Sequence, residues 1–332
     1  MPFRDTGLMS PDFQTPRGNR FDHQPPVVSI VPSGADMDAG VRLHHNQQKE
    51  GYFLSKDVEG LGVAPISVKT ADLASGGSVF RHARLESGEL FLPIHVHSPV
   101  PSTLPGMYDR LIQIVQPAQS TFFDVVVFDP YLQESRTKRA MATEVTDPVR
   151  KNPWWWTVGI TAEFMDPFWY GQKRELSRRL GRLEKKFVTA KPGQTGQGYE
   201  VPFFPIMVGG STLQYEYVLQ VAGDAPAYWE AVVTGPGEDF QIMNETGDEL
   251  FIPGRIESPV LIKTRPQEQD ITLTDGTPVW ERVPVGRDSL FPLLPGRNVV
   301  RMSMVGAAPQ SEIRLRYRET FFHSIGGVSS KS

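Results

Sequence analysis

The sequence predicts a mainly β protein of two antiparallel β-sandwich domains, the first carrying one α-helix. Three observations lead there. The 332 residues exceed what one hydrophobic core usually organises, so two domains is the expected division. The 29 prolines and 30 glycines separate many short β-branched or aromatic runs, a spacing that suits sandwiches better than helical bundles. The third observation is the stretch Trp154 to Gly171, WWWTVGITAEFMDPFWYG. Val158, Ile160 and Ala162 recur there at a period of two and Phe164 completes the stripe, so the segment reads as a buried strand. Asp166-Pro167 ends it, because proline cannot donate to a ladder and restrains the residue before it. Phe168, Trp169 and Tyr170 follow, and Gly171 is expected to let the chain turn. Three consecutive tryptophans cannot all enter one core. At least one of Trp154, Trp155 and Trp156 should face a second domain or a neighbouring subunit.

The other elements follow in chain order. Residues 1–26 are polar and rich in Pro, Gly and Asp; alone, this composition predicts an extended arm that orders by lying on another chain. Strands are expected at Val27 to Val31, Gly51 to Leu54 and Ile66 to Thr70. Ser75-Gly76-Gly77-Ser78 reads as a loop or hairpin tip, followed by extended segments Val79 to Leu85 and Glu89 to His97 with Ser87-Gly88 between them. A helix is expected over Pro105 to Gln116, where Met107, Leu111 and Ile114 or Val115 make an apolar stripe ending before Pro117. Thr121 to Phe128 is a strong strand closed by Asp129-Pro130.

Residues 172–190 carry two patterns. Leu176, Leu180, Leu183 and Phe187 have helical spacing, whereas Leu176, Arg178 and Leu180 alternate as on a strand crossing between domains. The strand is favoured and the helix stays open. Lys191 to Tyr199 is a glycine-rich connector. From residue 201 onward short alternating strands are punctuated by Gly223-Asp224, Gly235-Pro236-Gly237, Gly247-Asp248, Asp275-Gly276 and Pro295-Gly296, the pattern of a second sandwich. The expected division is an arm over 1–26, a first sandwich over 27–171, a crossover and linker over 172–200, a second sandwich over 201–322 and a tail over 323–332.

Composition excludes several classes. A formal net charge of −4 implies no strong polyanion or membrane-surface partner. Cysteine is absent, which removes disulfides and thiolate chemistry and fits a protein made in a reducing cytosol. No apolar stretch approaches the ~20 residues that span a bilayer, so no membrane insertion is expected. The N-terminus lacks the apolar core of a signal peptide.

Candidate chemistry is sparse. His95 and His97 would share one face of a strand and could offer two imidazoles to a metal, but no carboxylate has obvious ligand spacing, so an ordinary solvent-facing pair is favoured. His44-His45 reads as solvated loop. No G-x-S-x-G elbow, Walker loop or dinucleotide motif is present, and Gly193, Gly196 and Gly198 read as a connector. Lys173, Arg174, Arg178, Arg179, Arg182, Lys185 and Lys186 concentrate positive charge. Stacking aromatics are absent apart from Phe187, so a solvated face or a subunit surface meeting carboxylates is preferred over nucleic-acid contact. Tyr228, Trp229 and Trp280 are candidates for stacking on sugar rings, with burial in the core the commoner fate. No catalytic residue, metal ligand or cofactor site is assigned, and no enzyme is expected.

From about Val27 to Phe322 the chain resembles the distal tail proteins (minor tail proteins) of long non-contractile-tailed bacteriophages, in the form carried by actinobacteriophages. The resemblance rests on GYFLSKDVEGLGVAPI (Gly51 to Ile66), SGGSVFRHARLESGELFLPIHV (Ser75 to Val96), WWWTVGITAEFMDPFWYG and VAGDAPAYWEAVVTGPGEDFQIMNETGDEL (Val221 to Leu250). IKTRP, DGTPVWERV, LFPLLPGRNVV and RLRYRETFF continue it in order. The N-terminal arm and the charge after Gly171 depart from the family pattern. The resemblance implies a galectin-like second sandwich and a homo-hexameric ring at the distal end of the tail, with the tail tube protein above and the hub, fibre or other baseplate proteins below. The tape measure protein and DNA would pass through the channel without specific binding during genome ejection. A channel that must release DNA should be neutral or acidic. Trp154, Trp155, Phe168, Trp169 and Tyr170 are candidate subunit-interface anchors. The alternative is a carbohydrate-binding module contacting the host envelope through the second sandwich.

Overall fold

The computed structural model describes residues 26–44, 50–115, 122–130, 133–179 and 212–324. Residues 1–25 of the expected arm, 180–211 of the crossover and linker, and 325–332 of the tail lie outside them. The expected fold class is the one observed: strands, one α-helix and two sandwich-like cores.

The first core is enclosed by strands that close on themselves. The N-terminal strands are β1 (Val27–Pro32), β2 (Val41–His44) and β3 (Gly51–Leu54). A hairpin, β4 (Ile66–Asp72) and β5 (Ser78–Leu85), stands apart as its own two-stranded sheet. β6 (Glu89–His97), helix α1 (Leu104–Val115), β7 (Phe123–Asp129), β8 (Glu134–Val145), β9 (Val149–Asn152) and β10 (Trp155–Phe164) follow. β10 pairs along one edge with β6 and along the other with β9 and then β8. Hydrogen bonding therefore runs round β8, β7, β1, β2, β3, β6 and β10 and back to β8. The residues that alternate in the sequence point inward: Val158, Ile160, Ala162 and Phe164 are fully buried, as are Leu92 and Ile94 across from them. Each such aliphatic side chain contributes about 1.5–3 kcal/mol. Helix α1 caps this core with Leu104, Leu111, Ile114 and Val115, and the Tyr52 hydroxyl donates to the Met107 carbonyl at 2.8 Å.

After the Asp166-Pro167 corner the chain enters β11 (Trp169–Arg179), a strand as favoured from the alternation. β11 starts in the first core, where Trp169 is fully buried, and bridges β8 through Tyr170 and Thr137. It ends against the second core, where Leu176 packs. Gly171 serves close approach rather than a turn: a Cβ there would lie 2.9 Å from the Phe321 ring.

The second core lies between two sheets. One holds β12 (Thr212–Val221), β14 (Gly237–Asn244), β15 (Glu249–Ile256) and β18 (Gly296–Val305) in the order β12-β18-β14-β15. The other continues the sheet of the first domain through β11 into β19 (Glu312–Phe321), β13 (Trp229–Thr234), β16 (Val260–Lys263) and β17 (Asp270–Leu273). Phe321, at the end of β19, returns to the first core. Thus β11 and β19 contribute to both cores, and residues 172–179 of the expected crossover form part of a strand.

Candidate assembly surfaces

The β4–β5 hairpin is exposed along most of its length and has no fully buried residue. Its register puts Ile66 opposite Leu85, Val68 opposite Ala83 and Thr70 opposite Phe80, so one face is apolar. The other face carries Ser67 opposite Arg84 and Lys69 opposite His82, with Ala71 opposite Val79 toward the tip. The apolar face meets no core: Ile66, Val68 and Phe80 are 59%, 56% and 62% exposed. Gly76 and Gly77 at the tip have φ of 88° and 86°, a conformation that favours glycine, so the expected hairpin tip is where the structure turns. A lone two-stranded hairpin is at best marginally stable in water. This one presents a hydrophobic face that another surface must cover to be stabilised.

The three tryptophans divide by orientation. Trp154 is 49% exposed. Trp155 is half-buried on the outer face of β10, stacked on Phe53 at 6.1 Å between ring centroids. His95 and His97 lie 5.2 Å and 5.3 Å from it. Trp156 is buried in the first core, with Arg150 over its ring at 4.8 Å. The histidine pair is therefore part of an aromatic cluster. His95 Nδ1 lies 3.0 Å from Thr157 Oγ1, and burial first, then Lys151, lowers its pKa against the opposing Asp57. Among the described residues no group of three or more His, Cys, Asp or Glu could hold a metal. His44 is exposed on β2 rather than in a loop, with the Phe53 ring 6.3 Å away, and His45 lies outside the described residues.

The remaining aromatic candidates are placed differently. Trp169, proposed as an anchor, is fully buried against Phe164 at 5.9 Å and is not available to a partner. Phe168 is half-buried, 5.7 Å from Phe322. Tyr170 donates its hydroxyl to Asp166 Oδ2 at 2.7 Å, and burial followed by that carboxylate raises its pKa. Of the sugar-stacking candidates, Trp229 is fully buried with its indole N–H donating to the Phe291 carbonyl at 2.8 Å, which removes its ring from solvent. Tyr228 is half-buried in the interdomain cleft, and Trp280 sits on a short 3-10 turn that does not line that cleft. The three rings are not brought together.

Two cations of the stretch, Arg174 and Arg179, find carboxylates within the same chain. Arg174 pairs with Glu319 at 3.4 Å, Arg179 with Glu312 at 3.1 Å, and Glu175 accepts from Arg316 at 2.7 Å. Glu312 also accepts from the Ser177 hydroxyl, the largest cause that holds its carboxyl at about 2, with Arg179 and Arg314 adding to it. Arg178 lies over the Tyr217 ring at 5.4 Å. Arg182, Lys185, Lys186, Phe187 and the glycines at 193, 196 and 198 lie outside the described residues.

Sequence reasoning missed the junction. Asp166, read only as a strand stop, is a buried carboxylate that ties three segments: it accepts from the Phe168 N–H at 2.9 Å, from Tyr170 and from Arg265 of the second domain. Lys138 on β8 is also buried. Its ammonium donates to the Pro167 carbonyl at 3.0 Å and lies 4.3 Å from the Phe164 ring centre. Burial pushes its pKa down to about 8, although Asp166 opposes the shift. Beside this knot a cleft of about 590 Å³ opens between the two sandwiches. Its floor carries Lys263, Glu230 and Arg316 as cross-strand neighbours of alternating charge, and Lys173 directly opposite Arg318.

No protein-family description matches the chain, and no curated protein matches it in sequence. Solved structures do match in fold. The Dit protein of phage SPP1, described as a paradigm of the hub adsorption apparatus in phages infecting Gram-positive bacteria, aligns with a TM-score of 0.55 at 13% identity, covering 89% of this chain and 99% of that one. A chain of the phage p2 baseplate, in its activated conformation with strontium, aligns with a TM-score of 0.50 at 10% identity, covering 88% and 98%. The chain shares its fold with a phage hub adsorption protein and with a chain of a phage baseplate.

Proposed function

We propose that this chain is a structural virion protein of a phage tail tip. Six copies form a ring that joins the tail tube to the baseplate or fibre hub and surrounds the channel through which the tape measure protein and DNA leave. It acts by geometry, without catalysis or cofactor.

The observation that carries this reading is the β4–β5 hairpin. Its apolar face of Ile66, Val68 and Phe80 is solvent-exposed and, among the described residues, belongs to neither hydrophobic core. A cyclic ring needs two different complementary patches on each copy, because its interfaces are heterologous. The hairpin supplies one projecting patch. The exposed Trp154 and half-buried Trp155 on the outer face of the closed ring of strands supply aromatic anchors for a second. The likeness to the SPP1 hub protein supports the place in the virion, at the distal end of the tail.

Negative-stain imaging with light scattering tests it. The expected result is a ring of six with a central hole, alone or on added tail tubes. A protein that stays monomeric even with tubes present would sink the proposal.

A further inference from the structure

We propose that the cleft between the two sandwiches binds an acidic glycan, a sugar chain bearing carboxylate or phosphate groups. This goes beyond the ring reading and does not depend on assembly.

The first observation is a charge left over. Arg139, Arg265 and Arg316 in the cleft each have a carboxylate, on Asp124, Asp166 and Glu175 respectively. Lys173 and Arg318 have none among the described residues, yet they are direct cross-strand partners and both line the cleft. Like charges directly opposite on a sheet are destabilising. Both side chains are solvent-exposed, so their heads are free to converge on an anion that offsets the repulsion. An anion between the two cations would receive charge-assisted hydrogen bonds from both.

The second observation concerns what the cleft presents. β19, β13 and β16, the strands beside Tyr228, are paired on both sides, so the floor next to that ring has no open edge for an added peptide strand. What the cleft offers is side-chain chemistry: the half-buried Tyr228 ring, whose hydroxyl makes no hydrogen bond among the described residues, with Glu230, Gln267 and Thr137 nearby. A ring face for sugar C–H groups, polar groups for hydroxyls and two spare cations together fit a polyhydroxylated anion. The volume of about 590 Å³ falls within the roughly 300–1,000 Å³ of small-molecule sites.

Calorimetric titration of the full chain tests the proposal. The probes are tetragalacturonate, glucose 6-phosphate, neutral maltotetraose and hexaglutamate. Either acidic sugar should bind, the one that does so identifying the acid group, and maltotetraose should bind at least about tenfold more weakly. The double variant Lys173→Gln/Arg318→Gln should lose about tenfold or more in affinity. It should melt no lower than the parent, because the repulsion is gone. Tyr228→Ala, which leaves the cations in place, should also weaken binding. Failure of both acidic sugars to bind, equal affinity in the double variant, or tighter binding of hexaglutamate would overturn the proposal.

Discussion

Two antiparallel strand pairs leave the first sandwich, and they end in opposite conditions. The β4–β5 hairpin carries its apolar residues into solvent, with no partner for the face built from Ile66, Val68 and Phe80. The β11–β19 pair carries a dense set of charges, and most of them are satisfied within the chain: Arg174, Arg179, Arg314 and Arg316 meet Glu319, Glu312 and Glu175. By charge alone β11 looks like the surface that meets another molecule. By satisfaction it is the reverse. Apart from Lys173 and Arg318, the charged pair is a finished internal joint, whereas the plain hairpin is unfinished until something covers it. The useful signal of an interface here is what remains unpaired, not how polar or aromatic a segment is.

The joint should be where substitutions hurt the single chain most. Trp169→Ala is expected to cost ~3–5 kcal/mol in urea denaturation, because it opens a cavity between Phe164 and the Lys138 stem. A cost under about 1 kcal/mol would place Trp169 outside the core. Glu312→Gln should cost ~1–2 kcal/mol at neutral pH, since Ser177, Arg179 and Arg314 keep some hydration. Its pH dependence has a definite sign. The carboxyl sits near 2 in the folded chain against an ordinary value of 4.5, so its stabilisation is complete above about 4.5 and is lost as pH falls toward 2. The Gln variant should lack that part of the acid transition.

Lys138 gives a slope of the same sign in a higher pH range. Its folded value of about 8 lies below the ordinary 10.5, so the unfolded chain binds more protons between those values. Stability should therefore rise with pH over that range, and Lys138→Met should flatten the slope while changing stability by less than about 1.5 kcal/mol. An unchanged slope would mean that the lysine is hydrated. The smallest effect on the isolated chain belongs to the hairpin. Phe80→Ser should leave its stability within about 0.5 kcal/mol, as for an exposed residue, and a larger loss would show that the hairpin packs on its own subunit.

The sequence made some strands easy to read and hid others. β10 was legible because Val158, Ile160, Ala162 and Phe164 keep strict alternation over a two-sided strand. Helix α1 and the Gly76-Gly77 tip were legible for similarly local reasons. β8 was not. Its inward positions are Arg136, Lys138, Ala140 and Ala142, so no apolar stripe marks it. Those cations are accommodated by rings from elsewhere: Arg136 lies 3.5 Å from the Phe321 ring centre. The joint was invisible for the same cause. Glu175 and Arg316 are 141 positions apart, and no local pattern announces a pair formed only by the tertiary fold. Trp169 was read as an anchor because it belongs to an aromatic run after a strand stop. The structure buries it because the chain turns back at Asp166-Pro167 into the same core.

The decisive experiment compares the mass distribution of the parent chain with that of Val68→Ser/Phe80→Ser, by light scattering over a concentration series with tail tubes present. The parent should form closed rings, and the variant should remain monomeric with an unchanged melting temperature. Equal mass distributions for the two proteins would contradict the hairpin's role as the unfinished surface that assembly completes.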